Sequence, residues 1–81
     1  MKVETLRKIL NIEEGSSETV KCAGSIKIIM KGTKGGDAYD NIRGCSIKGD
    51  LLILDFEEDR HYKEGCFEIQ EITAVLHKLF F

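Results

Sequence analysis

The first element that the pattern of apolar and polar residues predicts is an amphipathic helix near the start of the chain. At about 100° per residue, the apolar side chains of this segment fall in one arc, and its charged side chains lie outside that arc. The apolar positions are Val3, Leu6, Ile9 and Leu10. Gly15 is well placed to end the helix, because glycine adopts the left-handed conformation without a Cβ penalty.

After this helix, the pattern changes to the alternation and short apolar runs that are typical of β-strands. The segment from Ser25 to Lys31 alternates Ile26, Ile28 and Met30 with the residues between them. The predicted strands are 25–31, 42–48, the segment that starts at Leu51 and a candidate at 66–69, with a short one around 20–22. The polar residues 56–64 are expected to turn the chain back.

The strongest local signal is the dipeptide Gly49-Asp50, which lies between two of these strands. Glycine at the first position supplies the positive φ of a two-residue type II′ hairpin turn. The turn places Lys48 opposite Leu51 and so fixes the register of the two strands. The pairs Ile47/Leu52 and Cys45/Leu54 then share an apolar face, and Lys48/Leu51 and Ser46/Ile53 share the other.

The end of the chain returns to a helical period. Its apolar residues occupy one arc of about 140° on the helical wheel. They are Ile69, Ile72, Val75, Leu76, Leu79 and Phe80. We therefore predict an α+β fold, in which a small antiparallel sheet of three or four strands is flanked by an N-terminal and a C-terminal helix. Residues 1–81 are expected to form a single domain.

Two helices can cover one face of this sheet, which leaves Ile29, Leu51 and Ile53 on the other face. An antiparallel sheet usually presents polar residues where it meets water. Either a helix packs on each face, or the second face is a protein contact such as a homodimer interface. Phe81 lies off the helical stripe and is assigned to the same surface.

Composition narrows the cellular setting. The chain has no segment that is typical of a signal peptide or a membrane span, so we expect a cytoplasmic protein that does not bind a membrane, located in the host cytoplasm if the chain is viral. Cys22, Cys45 and Cys66 do not have the spacing of a zinc ribbon or a redox motif. Free thiols are expected, and a disulfide between two of them remains an alternative.

Charge is distributed unevenly along the chain. Residues 21–48 carry six basic and two acidic side chains, whereas residues 50–71 carry two basic and eight acidic ones. The glycine-rich segment 31–36 lacks the spacing of a phosphate-binding loop. The basic region suggests an alternative function as a nucleic-acid-binding module that contacts phosphates without reading bases. Its candidate contacts are Lys31, Lys34, Arg43 and Lys48.

The sequence offers little catalytic or metal-binding chemistry. The acidic run 55–59 is expected to be a solvated turn. The candidate zinc ligands are Cys45, His61, Cys66 and His77, and their separations along the chain match no compact zinc site. We therefore expect no metal, no cofactor, no small-molecule substrate and no enzymatic activity.

Together these features indicate a small non-catalytic interaction or regulatory protein that acts through surface complementarity. Its expected partner is a protein, and the expected assembly is a homodimer through Ile29, Leu51, Ile53 and Phe81. Short cofactor-free chains of this kind are common among viral and mobile-element accessory proteins, and this chain is interpreted as one by association.

Overall fold

The chain folds mainly as β-structure, with one short helix among the residues that the structure describes. This structure is a computed structural model, and it describes residues 1–12, 20–21, 23–33 and 35–80. In chain order the elements are α1 (Val3–Leu10), β1 (Val20–Lys21), β2 (Ala23–Met30), β3 (Asp37–Tyr39), β4 (Ile42–Lys48), β5 (Leu51–Glu58), β6 (His61–Glu68), a 3-10 turn (Ile69–Glu71) and β7 (Ile72–Phe80).

The strands form two small antiparallel sheets. Sheet A has the order β1-β4-β5-β6, and sheet B has the order β3-β2-β7. The chain passes from sheet B to sheet A at residues 40–41, where Asn41 adopts a positive φ of 56°. The amide of Glu57 donates to the carbonyl of Asn41 at 3.2 Å, which fixes this corner to β5. Bends of this kind carry the chain from one sheet to the other in folds made of two packed sheets.

The predicted fold class, a single sheet flanked by two helices, is wrong. The C-terminal segment forms a 3-10 turn and then β7, which pairs with β2 along most of its length. Thr73 is an extra residue in this pairing, because Ala74 lies opposite Ile29 and Ile72 lies opposite Met30. This bulge lets Ile72 and Val75 both face the core. Together with Ile69 in the turn, Ile72 and Val75 place a core-facing residue at every third position. This spacing resembles the apolar stripe of a helix.

The N-terminal helix is confirmed as α1, but it ends earlier than the sequence suggested. Asn11 adopts the left-handed conformation with φ 56°, and the amide of Ile12 donates to the carbonyl of Arg7 at 2.9 Å. This six-residue closure is typical of a Schellman-type end. The predicted stop at Gly15 lies outside the described residues.

The β4–β5 hairpin is confirmed, including its register. Lys48 lies opposite Leu51, and Gly49 has a positive φ of 61°. The expectation that residues 56–64 form a polar turn is wrong, because β5 continues to Glu58 and β6 begins at His61. The turn between them is only Asp59-Arg60, with both residues at positive φ, as a type I′ hairpin requires.

The hydrophobic core lies between the two sheets and is covered at one side by α1. Its buried residues are Leu6, Leu10, Ile12, Ile26, Ile28, Ile42, Cys45, Ile47, Leu52, Leu54, Phe56, Ile69 and Ile72. Tyr39 of sheet B joins it to sheet A, with ring centroids 5.0 Å from Phe56 and 5.5 Å from Phe67. Both sheets therefore turn their outer faces to the surface of the molecule.

Candidate interaction surfaces

The structure divides the four predicted interface residues between its two sheets. Leu51 and Ile53 lie on β5, on the outer face of sheet A, and Leu51 is 40% exposed. Ile29 lies on β2 in sheet B, and Phe81 is outside the described residues. The two sheets are separate, so these residues do not form the single sheet face that the sequence suggested.

The outer face of sheet A is largely occupied by contacts within the chain. Arg43 donates from Nη2 to Oε2 of Glu57 at 2.5 Å, and its guanidinium lies 5.8 Å from the ring centroid of Tyr62. The hydrogen bond to Glu57, followed by that carboxylate's charge, raises the pKa of Arg43. Further along this sheet, Ser46 is buried opposite Ile53. The hydroxyl of Ser46 has no hydrogen-bond partner among the described residues, so the described pairing on this face is that of Arg43 with Glu57 and Tyr62, and Leu51 lies at the other end.

Sheet B has a different outer face, and its most exposed apolar residue is Leu76. This residue lies opposite Lys27 on β2, and its side chain is 60% exposed. Its neighbours Ala74 and Ile29 pair with each other on the same face. The helical period of the C-terminal segment predicted a buried position for Leu76, and that prediction is wrong. A weak sequence signal for a strand was present in the β-branched residues Ile72, Thr73 and Val75.

A shallow depression of about 270 Å³ extends this surface across the three strands of sheet B. It includes residues of all three strands, namely Ser25, Ile26, Lys27, Ala38, Leu76, His77 and Lys78, together with Asp40 after β3. The depression is lined by both apolar and charged groups. It widens the surface around Leu76 without forming an enclosed pocket.

The two long edge strands of the molecule also differ. β6 is the edge of sheet A, and β7 is the edge of sheet B. Along β6 the charged residues Lys63, Glu64 and Glu68 are all exposed, whereas along β7 Lys78 is the one residue with a permanent charge. Charged residues, especially lysine, protect edge strands from pairing with other chains. By this criterion β6 is protected, whereas β7 lacks such protection. Among the described residues, the N-terminal ammonium of Met1 donates to the carbonyl of Ile72 at 2.7 Å, at the start of β7.

The four residues predicted to contact nucleic acid are not all brought together. Lys31 follows β2, and its amide donates to the carbonyl of Glu71 at 2.6 Å. Lys48 ends β4, and Arg43 near the start of that strand lies roughly 17 Å away for five residues of extended chain. Lys34 is outside the described residues. Arg43 contacts Glu57, so its charge is already partly balanced.

A second depression, of about 350 Å³, is acidic. Its lining residues are Ala38, Tyr39, Asp40, Asn41, Glu57, Glu58 and Asp59. Burial, followed by the charges of Asp37 and Glu58, raises the pKa of Tyr39. In the described part of the chain, no three His, Cys, Asp or Glu side chains are grouped so that they can hold a metal ion. The four residues considered for zinc therefore do not form a site there.

The two described cysteines lie on opposite sides of sheet A. Cys45 is buried in the core, whereas Cys66 is an exposed thiol on β6. The two residues therefore do not form a disulfide with each other. Cys22 is outside the described residues.

Comparisons with known proteins identify no relative. No protein-family model, no curated protein and no solved structure matches this chain. Over the described residues, no helix has the length and apolar character needed to cross a membrane. The function is therefore argued from the surfaces of the molecule itself.

Proposed function

We propose that this chain is a small non-catalytic interaction protein, with a regulatory role, that binds a protein chain through the outer edge of sheet B. The observation that carries the proposal is the nine-residue edge strand β7, which is nearly free of charge and has Leu76 60% exposed at its centre. The carbonyl of Ile72 accepts a hydrogen bond from the N-terminal ammonium of Met1 at 2.7 Å. Beyond that residue, an edge strand of this kind has backbone groups without a neighbouring strand in the described part of the chain. Strand addition satisfies those groups and buries the apolar side chains beside them.

The proposal moves the expected homodimer contact from sheet A to sheet B. Ile29 remains near the contact, because it pairs with Ala74 of β7. Leu51 and Ile53 no longer belong to it, because they lie on the other sheet. Phe81 directly follows β7 in sequence and is kept as a candidate.

The cytoplasm remains the proposed compartment. Cys66 is an exposed thiol, which suits a reducing environment in which disulfides do not persist. We also keep the proposed association with viral and mobile-element accessory proteins. In the viral case, the proposed compartment is the host cytoplasm.

Light scattering of the wild-type chain and two variants tests where the contact lies. Wild-type chain is expected above monomer mass at high micromolar concentration. Leu76→Lys is expected to give a monomer, because it places a charge in the apolar contact. The matched control Leu51→Lys, at an exposed leucine on sheet A, is expected to keep the wild-type mass. A monomeric wild type contradicts the proposed homodimer, and loss of assembly in Leu51→Lys alone contradicts its place on sheet B.

The nucleic-acid-binding alternative has less support from the surfaces. Of its four candidate residues, Lys31 and Lys48 are exposed at the ends of different strands, Arg43 is paired with Glu57, and Lys34 lies outside the described residues. A fluorescence titration with single- and double-stranded nucleic acids, at low and near-physiological salt, separates it from the leading proposal. Salt-sensitive binding that is lost in Lys31→Glu/Lys34→Glu would favour the alternative.

A further inference from the structure

We propose that β7 accepts an acidic segment of a different protein, with one acidic and two apolar residues at alternate positions. This inference rests on the proposed function and specifies the chemistry of a partner. The segment pairs antiparallel with residues 74–78 and becomes the fourth strand of sheet B. Its acidic side chain lies beside Lys78 and near Lys27, and its apolar side chains lie beside Leu76 and Ala74.

Only part of β7 is available to a further strand. The carbonyl of Ile72 accepts a hydrogen bond from the ammonium of Met1 at 2.7 Å. Thr73 is the extra residue of the bulge, and its hydroxyl donates to the carbonyl of Ile29 at 3.0 Å. Residues 74–78 pair regularly with β2 and have no strand on their other side in the described part of the chain. Alternate N–H and C=O groups of this stretch point away from β2, where a partner strand can bind them.

The permanent charges along β2 and β7 all have one sign. β2 contains Lys27 and no acidic residue, and β7 contains Lys78 and no acidic residue. Both lysines are exposed, although the chain as a whole has a net charge of -2. Lys27 forms no ion pair with another described residue. The acidic residue that borders the depression, Asp40, follows β3 and so lies across β2 from the β7 edge. A negatively charged partner is therefore favoured at this edge.

The register of β2 and β7 places the two lysines around Leu76 on the outer face. Lys27 lies opposite Leu76, and Ser25 lies opposite Lys78. Lys27 and Lys78 are therefore diagonal neighbours, roughly 7–8 Å apart along the backbone. Leu76 is 60% exposed, and all four residues line the depression of about 270 Å³. The surface thus combines an apolar centre with two positive charges.

Each outer-face position of β7 favours one type of partner side chain. In an antiparallel pair, directly opposite residues lie on the same face of the sheet. An acidic residue is favoured opposite Lys78, and an apolar residue is favoured opposite Leu76. Ala74 is small and its neighbour Ile29 is half-buried, so a larger apolar side chain fits opposite Ala74. Read from its N-terminus, the partner therefore has an acidic residue followed by apolar residues two and four positions later.

Other occupants match this edge less well. A second β7 strand brings another Lys78 and no acidic residue, so the acidic segment has the more complementary charge and displaces a second copy from the same edge. The phosphates of a nucleic acid match the lysines but not the exposed Leu76 between them. We therefore assign the edge to an acidic protein segment, and the other occupants become outcomes of the test.

Fluorescence anisotropy with a labelled peptide, Ser-Glu-Thr-Leu-Thr-Leu-Ser, tests the charge match. Lys27→Glu/Lys78→Glu is expected to weaken binding by about tenfold, because two attractive contacts become repulsive. The matched control Lys8→Glu/Lys48→Glu makes the same change of charge at exposed positions on α1 and at the end of β4, and it is expected to keep the wild-type affinity. A second peptide with Lys in place of Glu is expected to reverse the order and bind Lys27→Glu/Lys78→Glu more tightly than wild type.

The backbone pairing is tested with two further peptides, each N-methylated at one alternate set of its amides. Only one set faces β7 in a strand, so only one of the two peptides is expected to lose binding. Equal affinities of the two peptides would overturn strand addition.

The outcomes separate this inference from the proposed function. A reversed preference for the Glu and Lys peptides supports the inference. No binding of the Glu peptide to a wild type that still self-associates overturns it and leaves the interaction function in place. Binding of single-stranded oligothymidylate in preference to the Glu peptide, lost in Lys27→Glu/Lys78→Glu, overturns it in favour of phosphate contacts. A monomeric wild type that binds the Glu peptide supports this inference and contradicts the homodimer alone.

Discussion

The two sheets of this molecule differ in how their strands meet and in what their edges present. In sheet A, tight turns connect β4, β5 and β6, and the edge strand β6 carries Lys63 and two glutamates. In sheet B, β2 pairs with a strand that is distant in sequence, and the edge strand β7 is almost uncharged. By this difference in charge, the β6 edge of sheet A is protected from pairing with another strand, whereas the β7 edge of sheet B lacks that protection.

The largest predicted effect tests which face of sheet A packs in the hydrophobic core. Leu54 is fully buried on β5, and its neighbour Ile53 faces outward. Leu54→Ala is expected to lower the free energy of unfolding by about 2–5 kcal/mol, because it removes buried methyl groups and leaves a cavity. Ile53→Ala is the matched control and is expected to cost clearly less. Urea denaturation measures both, and equal losses would contradict the assignment of the two faces.

The next effect tests how closely sheet B is packed at the start of β3. A Cβ added at Gly36 would lie 2.8 Å from the carbonyl oxygen of Ile28, whereas one added at Gly35 meets nothing within 4 Å. Gly36→Ala is therefore expected to lower the free energy of unfolding by about 1–3 kcal/mol. Gly35→Ala is expected to change it little. Thermal and urea unfolding of the pair would contradict this packing if the two variants were equally stable.

A smaller effect tests the bulge that makes β7 a strand. The hydroxyl of Thr73 donates to the carbonyl of Ile29 at 3.0 Å. Thr73→Val keeps the shape of the side chain and removes this donor, so it is expected to lower the free energy of unfolding by about 0.5–1.5 kcal/mol. Thr73→Ser retains the donor and is expected to lose less. A neutral Thr73→Val would indicate that the bulge is not formed as described.

The smallest predicted effect is the pH dependence of folding stability that arises from Tyr39, a residue of sheet B that contacts sheet A. Burial, followed by the charges of Asp37 and Glu58, raises the pKa of this phenol, so the folded state holds the proton more tightly than the unfolded chain. Its contribution to stability is therefore complete below the unfolded pKa, near pH 10, and is lost as the pH rises through the folded value. The stability of wild type relative to Tyr39→Phe is therefore expected to fall as the pH rises above about 10. A difference between them that is constant with pH would contradict the shift.

The sequence predicted those parts of the fold that depend on neighbouring residues. The glycine of Gly49-Asp50 determines a turn and, with it, the register from Lys48/Leu51 onward. The apolar stripe of α1 likewise required only the helical period, although Asn11 ended the helix in place of Gly15. These are local effects of backbone preference and side-chain spacing.

The missed parts depend on contacts that are distant in sequence. The 3-10 turn at Ile69 and the bulge at Thr73 space the buried residues as a helix would, and the pairing of β7 with β2 decides between the two structures. The candidate interface was misplaced for the same reason. The spacing of apolar residues in 69–80 is typical of a helix that buries Leu76. The exposed position of Leu76 on a strand therefore cannot be inferred from that spacing.

The central claim is that the β7 edge is the binding surface of this protein, and amide hydrogen exchange of the unmodified chain tests it most directly. Exchange is followed residue by residue at low and at high protein concentration. The alternate β7 amides that face away from β2 are expected to exchange more slowly at high concentration, while the exposed amides of β6 keep the same rates. Exchange in β7 that is equally fast at both concentrations would contradict the claim.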